Sequence, residues 1–446
     1  MSFYSSLPLH FIKIVSIFKS QLVHKLFLFF LSAVFLFISS CGPSKRFTEK
    51  EERDEKIEKV EEREKKDLTA EESSFAEIRV LINGIIPKES LLIESPVNLY
   101  NDENKIALIK PGNIINCYQK KGNIEISIKN ESFAAEKFIL ASAENDDIVK
   151  INGKRYRGKI QIFSSGNSLD IINVVNMEDY VKGVLAKEMP VGKNEENLEA
   201  LKALAVCVRT YAQKKLKDGK IYFDIYDDTR DQVYGGMDAE SPLSNRAAEE
   251  TKNLILKYDG TQATLFYHST CGGYTESSQN VFTKEYIPYL KGIKDGSEPY
   301  CKISPRFEWT ETYSKELIIN RLKNYSLLDD LNYRLEDISI LSRFNSGRVN
   351  EIEIKVISNN GAKKSIVIKG NEIRSILRTS DGKMILWGTM FDVSKKSNSI
   401  VLSGKGFGHG VGLCQWGAIA LSQKDWSYKD ILEHYYPRTE LGNVND

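Results

Sequence analysis

The chain has 446 residues, with 62 Lys and Arg against 61 Asp and Glu, for a formal net charge of +1. That balance excludes the electrostatic signature of a nucleic-acid binder, which relies on a concentrated basic surface. Histidine is scarce, five in all, so each one and its setting can be weighed separately.

Lys13, Lys19 and Lys25 precede an apolar run from Leu26 to Ile38 that ends Ser39-Ser40-Cys41-Gly42. A positive flank, an apolar run and small residues before a cut site make a secretory signal. The run is short for a bilayer span, which takes about twenty residues. Cys41, placed directly after Ile-Ser-Ser, resembles the lipobox of bacterial lipoproteins, which implies a lipid on Cys41 as the mature N-terminus; an uncleaved anchor is the alternative. Either reading puts the rest of the chain outside the cytoplasm, at the membrane of the cell envelope. Residues 42–75 are dominated by charge, with Phe47, Ile57, Val60, Leu68 and Phe75 as the large apolar residues, and read as a solvated tether.

The remaining length allows two or three domains. Residues 76–172 show short apolar runs such as Ile78-Arg-Val-Leu-Ile between turn signals at Pro111-Gly112, Asn152-Gly153 and Ser164-Ser165-Gly166, which predicts a β-rich domain. Cys117 within it reads as a small buried hydrophobe. From residue 173 helical patterns enter. The expected fold class is therefore α+β, a β-rich N-terminal part followed by a mixed helix and strand core over 173–446 that contains a mixed α/β segment at 309–401.

Asn176 to Glu188 reads as a helix stopped by Pro190, because the residue before a proline is pushed out of the helical region. A longer helix runs from about Glu195 to Leu216, with Leu198, Leu201, Ala205, Val208 and Ala212 as its buried stripe. Arg209 lies on another face, placed to pair with an anionic group near the Glu188 turn. Glu188 itself sits at a helix end among apolar neighbours, which raises a carboxyl toward the range of a general acid. A solvated surface glutamate is the plainer reading.

The stretch Leu265-Phe-Tyr-His268-Ser-Thr-Cys271-Gly-Gly-Tyr-Thr-Glu276-Ser-Ser follows a β-run with a hydroxyl-rich loop. Ser269, Thr270, Thr275, Ser277 and Ser278 supply donors and acceptors for a ligand rich in hydroxyls. Cys271 and Cys301 allow a disulfide, natural outside the cytoplasm. Equally, His268, Cys271 and Cys301 allow a structural zinc, with His409 as a fourth ligand. A catalytic cysteine is a weaker reading, since no histidine partner can be assigned to it. Farther on, Glu316 to Tyr325 has helical spacing, and alternating Val349, Ile352, Ile354 and Val356 face Ile366 and Ile368 across Asn359-Asn360-Gly361 as a hairpin.

Gly404-Lys-Gly-Phe-Gly-His-Gly-Val-Gly-Leu-Cys-Gln-Trp416 places glycine on every second residue through Gly412. An extended backbone would leave one bare face, a floor where another backbone or a ligand comes close, with His409 on the opposite side. The spacing does not match a dinucleotide fingerprint. A final helix is expected from Trp416-Gly417-Ala418 to near Tyr435-Tyr436-Pro437, and His434 in it reads as an ordinary packing histidine.

Met177 to Pro190, Leu198 to Tyr211, Tyr267 to Glu276, Gly404 to Ala418 and Tyr428 to Pro437 stand in one order, and together they resemble the SpoIID/LytB family. The resemblance covers roughly Ile78 to Gly442. It implies action on the glycan strands of bacterial peptidoglycan by a lytic transglycosylase whose catalytic glutamate, in Glu-Met-Pro, is Glu188 here. It further implies that Arg209, Thr275, His409 and Gln415 line the glycan cleft beside Ser269, with Tyr211 and Trp416 as stacking surfaces. No cofactor is needed for that chemistry, although zinc accompanies some members. The LytB side of the family implies instead a non-catalytic wall binder that stimulates an N-acetylmuramoyl-L-alanine amidase. Lys405, Phe407 and Cys414 depart from the usual pattern of the glycine stretch.

Overall fold

Strand Ser168–Asn176 is buried from Leu169 through Val175, the pattern of a strand covered on both faces. It pairs antiparallel with Glu77–Ile86 on one side and Lys159–Ser165 on the other. These lie in a seven-stranded sheet whose order is Ile225–Tyr226, Glu77–Ile86, Ser168–Asn176, Lys159–Ser165, Lys137–Ser142, Val97–Asn101 and Asn104–Ile109. A four-stranded sheet, Lys88–Leu92, Ile114–Lys120, Asn123–Ile128 and Glu131–Ala135, adds Ile115, Cys117 and Ile126 to the same core as Leu140 and Ile160. Burial there pushes the Cys117 thiol up to about 12, in keeping with a packing role.

The computed structural model describes residues 76–446 apart from 87, 121, 166–167, 218–221 and 330–331. The leader, Cys41 and the whole charged tether lie outside the described residues. Among those residues no helix is long and apolar enough to cross a membrane. The fold is α+β with a strand-rich N-terminal region. The boundary expected at 172/173 falls inside strand Ser168–Asn176, and the sheet takes its edge strand Ile225–Tyr226 from beyond the first two helices. One hydrophobic core accordingly runs from Ile78 to Tyr436.

Helix α1, Met177–Glu188, starts where the Asn176 side chain accepts the Asp179 N–H at 2.9 Å. Glu178 and Asp179 in its first turn and Lys187 in its last suit the helix dipole. Extended Met189 (φ −139°) ahead of Pro190 ends it. Helix α2, Leu198–Lys217, buries the expected stripe and also Ala200, Ala203, Leu204, Val206 and Cys207. It is a central helix rather than an amphipathic surface one, and its alanines admit close neighbours on several sides. Helix α3, Pro242–Glu250, is started by a capping box at Ser241.

The segment after Cys301 forms a lobe with a core of its own, Tyr313 to Leu402. Strands Glu308–Ser314, Ser399–Lys405 and Met390–Lys395 make one sheet, and Tyr333–Arg343, Val349–Ser358 and Lys363–Lys369 another. Ile352 faces Ile368 and Ile354 faces Ile366 across the expected hairpin. Helix α4, Lys315–Asn324, is capped by Ser314, and the short α5, Glu372–Leu377, closes the lobe.

The glycine stretch differs from its expected form. The strand stops at Lys405, and Gly406, Gly408, Gly410 and Gly412 all take positive φ, from 72° to 115°. Close approach is the reason, and two positions show it best. A Cβ on Gly412 would stand 1.9 Å from the Phe266 carbonyl oxygen, and one on Gly410 would meet the Arg348 guanidinium at 2.5 Å. The expected single C-terminal helix is two: α6, Gln415–Ser422, with Cys414 at its N-cap, and α7, Tyr428–Tyr435, restarted by a capping box at Ser427.

Candidate active site

Glu188 is the last residue of α1. Its Oε1 accepts the Val233 N–H at 2.6 Å and its Oε2 accepts Gln415 Nε2 at 3.3 Å. The Tyr267 hydroxyl bonds to the same carboxylate. Burial lifts the Glu188 pKa above the ordinary carboxylate value, and these three donors hold back part of the rise. The result is a carboxyl that keeps its proton more readily than a solvated one while donors stand ready for its ionised form.

Gln415 opens α6 directly after the glycine stretch and is buried. Tyr267 belongs to the short strand Tyr267–His268, which runs parallel to Leu413–Cys414. The two residues that meet Glu188 therefore come from adjacent, mutually paired segments. Behind them, Gln232 accepts the Tyr180 hydroxyl at 2.9 Å and donates to the Tyr267 oxygen at 3.1 Å. Burial keeps both phenols protonated by raising their pKa values well above 10.

Residues Asp231, Gln232 and Val233 together hold Tyr211, Lys215, Tyr180, Tyr267 and Glu188. Asp231 accepts the Tyr211 hydroxyl at 2.6 Å and pairs with Lys215 at 2.9 Å, while Gln232 serves Tyr180 and Tyr267 and Val233 serves Glu188. Sequence reasoning missed this loop, as well as Tyr180. The available signal was a polar Asp-Gln pair ahead of Val-Tyr-Gly-Gly, an unremarkable string by itself. Tyr211 is thus tied into the loop by its hydroxyl, and half-buried Trp416 donates its backbone N–H to the Ser269 carbonyl at 3.1 Å.

Other expected cleft residues are engaged elsewhere. Arg209 is completely buried and forms a two-point ion pair with Glu178, at 2.8 and 2.6 Å, while also donating to the Leu254 and Ala248 carbonyls. It joins helices α1 and α2 inside the core, so it neither lines a cleft nor meets Glu188. Thr275 is buried, with its Oγ1 accepting the Ile293 N–H at 2.9 Å. His409 accepts the Val411 N–H through Nδ1 at 3.1 Å, so its proton lies on Nε2, which donates to the Tyr267 carbonyl at 2.8 Å. Burial, with Arg374 and Arg348 adding repulsion, pushes its pKa down to about 3. Both ring nitrogens are therefore spent, one on the Val411 N–H and the other on the Tyr267 carbonyl.

The thiols of Cys271, Cys301 and Cys414 lie within 4.8 Å of one another, and all are free and buried. Cys271 and Cys301 stand 3.4 Å apart, sulfur to sulfur. The expected ligand set named His268 in place of Cys414; instead His268 donates Nδ1–H to the Val411 carbonyl at 3.1 Å, and His409 is committed as described. Backbone N–H groups of Cys271 and Gly417 point at the Cys414 sulfur at 3.2 and 3.4 Å, and that of Gly273 at the Cys271 sulfur at 3.3 Å. The Cys301 thiol is lowered by bonding to the other two sulfurs, which are raised by burial. Arg348 reaches in from the lobe and donates to the Cys271 and Tyr274 carbonyls at 2.6 Å each, tying the lobe to both motifs.

Residues 165–258 match the SpoIID model, described as stage II sporulation protein, and residues 301–412 match a domain of unknown function, DUF8618. An uncharacterized protein of Brachyspira hyodysenteriae is 30% identical over 82% of this chain and 93% of its own length. The amidase enhancer of Bacillus subtilis is 32% identical over 58% of this chain, which spans only 40% of that protein. Stage II sporulation protein D of the same organism is 26% identical over 68% of this chain and 88% of its own length. The match to the SpoIID model takes in Glu188 and the loop that holds it, and the chain belongs to the SpoIID family.

Proposed function

We propose that this chain is an extracytoplasmic lipoprotein that cuts the glycan strands of bacterial peptidoglycan as a lytic transglycosylase, with Glu188 as its single acid and base. Family membership and likeness to an amidase enhancer support a cell-wall-related role. One observation carries the finer reading: a carboxyl with its pKa raised by burial, at a helix end, with donors from Val233, Gln415 and Tyr267. Glu188 gives its proton to the leaving glycosidic oxygen as the bond to C1 breaks. The sugar's own 6-hydroxyl then bonds to C1 and returns a proton to Glu188, so the product is a 1,6-anhydro end and no water is consumed. Ordinary glycosidases use a second carboxylate. Asp231, on the loop beside the site, is already paired with Lys215 and Tyr211, which suits a one-carboxyl mechanism.

Incubating the chain with amidase-treated glycan strands tests this, with anhydro ends read by mass spectrometry and Glu188→Gln alongside. Anhydro ends from the wild type alone are expected. Strands that bind without being cut would instead support a non-catalytic enhancer of an N-acetylmuramoyl-L-alanine amidase, the reading favoured by the amidase-enhancer relative. The lipid anchor on Cys41 and location at the cell envelope belong to the proposal and rest on the sequence of the leader. The chemistry requires no cofactor. The three-thiol cluster fits a zinc ion better than the His268 set does, because soft sulfur ligands with N–H···S support suit it. Bound there, zinc would fix the N-cap of α6, next to Gln415.

A further inference from the structure

The seam between the hydroxyl loop and the DUF8618 lobe encloses a pocket of ≈ 440 Å³, within the usual size of small-molecule sites, roughly 300–1,000 Å³. It shares no lining residue with Glu188 and its partners. Its floor is Glu276, only 3% exposed. One oxygen of Glu276 accepts the Ser277 N–H at 2.8 Å and Asn280 Nδ2 at 2.9 Å, and the other takes the hydroxyl of Ser346 from the lobe. The pocket exists only because the two parts meet there.

Its walls are polar but not strongly charged. Lys291 offsets Glu276, and Arg343 is paired with Asp392 at 2.6 Å. Neither an anion nor a cation is selected. Ser277 lines the pocket, and its own hydroxyl is buried without a hydrogen-bond partner among the described residues. Gln279 from the loop and Asn345 from the lobe line the same space, and neither side-chain amide has a protein partner among the described residues. Tyr286 stands at the rim, 57% exposed, with an aromatic face available.

We infer that this pocket binds a neutral N-acetylated sugar unit. The amides of Gln279 and Asn345 match an acetamido group, and Tyr286 offers a surface for the apolar face of a pyranose. The inference rests on the glycan reading above only for the source of the sugar, and it gives the lobe a direct part in holding it. Calorimetry on the full chain carrying Glu188→Gln, which removes turnover, tests it with chitotetraose and with cellotetraose, the analogue without acetamido groups. Chitotetraose is expected to bind, cellotetraose to bind about tenfold more weakly or not at all, and Tyr286→Ala or the pair Gln279→Ala and Asn345→Ala to weaken chitotetraose about tenfold, close to 1.4 kcal/mol. These side chains are exposed, so the melting temperature should not move. Absence of chitotetraose binding, equal binding of cellotetraose, or affinity indifferent to these substitutions overturns the inference. Strand cleavage by the chain without Glu188→Gln separates the two readings: cleavage with no dependence on Tyr286 sinks the pocket alone, and Tyr286-dependent binding with no cleavage sinks the enzyme alone.

Discussion

Gln415 donates to Glu188 at 3.3 Å across 227 positions of sequence. The bond joins the end of α1 to the start of α6, and so couples the carboxyl to the glycine stretch immediately before it. Because this donor favours the ionised carboxylate, removing it leaves burial less opposed and raises the Glu188 pKa further. In Gln415→Leu the alkaline limb of the pH–rate profile should move upward, since the acid keeps its proton to higher pH. An unmoved limb would mean that Gln415 does not act on Glu188 during cleavage.

Arg209 serves stability. Cutting the buried pair in Arg209→Met leaves Glu178 unpaired, at a cost of about 3–5 kcal/mol, while Arg209→Met with Glu178→Leu should recover most of it. Denaturant unfolding reads both variants. A loss of glycan affinity at unchanged stability would contradict the burial of Arg209.

Two glycines with similar backbone angles should respond differently to alanine. Gly112 (φ +84°) has open space around it, so Gly112→Ala should cost only the backbone penalty, about 1–2 kcal/mol. Gly412 (φ +72°) would add a Cβ 1.9 Å from the Phe266 oxygen, and Gly412→Ala should be far more destabilising. Equal melting temperatures would refute the close approach.

Acid should weaken the fold through His409. Its folded pKa of about 3 lies below the ordinary value of 6.5, so below pH 6.5 the unfolded chain takes a proton that the folded one refuses. That stability is present above pH 6.5 and is lost as pH falls toward 3, with a slope of up to about 1.4 kcal/mol per pH unit. His409→Gln should flatten the slope in unfolding measurements. His268, also lowered by burial, adds in the same direction.

Cobalt(II) in place of zinc reports the thiol cluster without reference to activity. Sulfur-to-cobalt charge-transfer absorption is expected, abolished by Cys414→Ser and kept by His268→Gln. The reverse pattern would restore His268 as the ligand.

Local signals made part of this legible in the sequence. The Asn176 cap, the Pro190 stop and the hairpin at Asn360-Gly361 found their elements because caps, prolines and turns act over a few residues. Glu188 stood out by its place at a helix end. The Arg209 ion pair was not legible, since spacing puts Arg209 on a helix face without saying which helix covers that face. Asp231 to Val233 escaped notice because the Glu188 contact is a backbone N–H, which every residue except proline carries. The glycine alternation did mark a close approach, but the approaching groups, Phe266 and Arg348, come from distant segments, and they impose positive φ where alternation alone suggested a strand.

Strand cleavage in water carrying heavy oxygen tests the central claim most directly. If Glu188 directs attack by the sugar's own 6-hydroxyl, each cut leaves one anhydro end and one non-reducing hydroxyl end, neither carrying solvent oxygen, and Glu188→Gln forms no anhydro ends. Reducing ends labelled with heavy oxygen would show that water is the nucleophile, and would contradict the one-carboxyl mechanism.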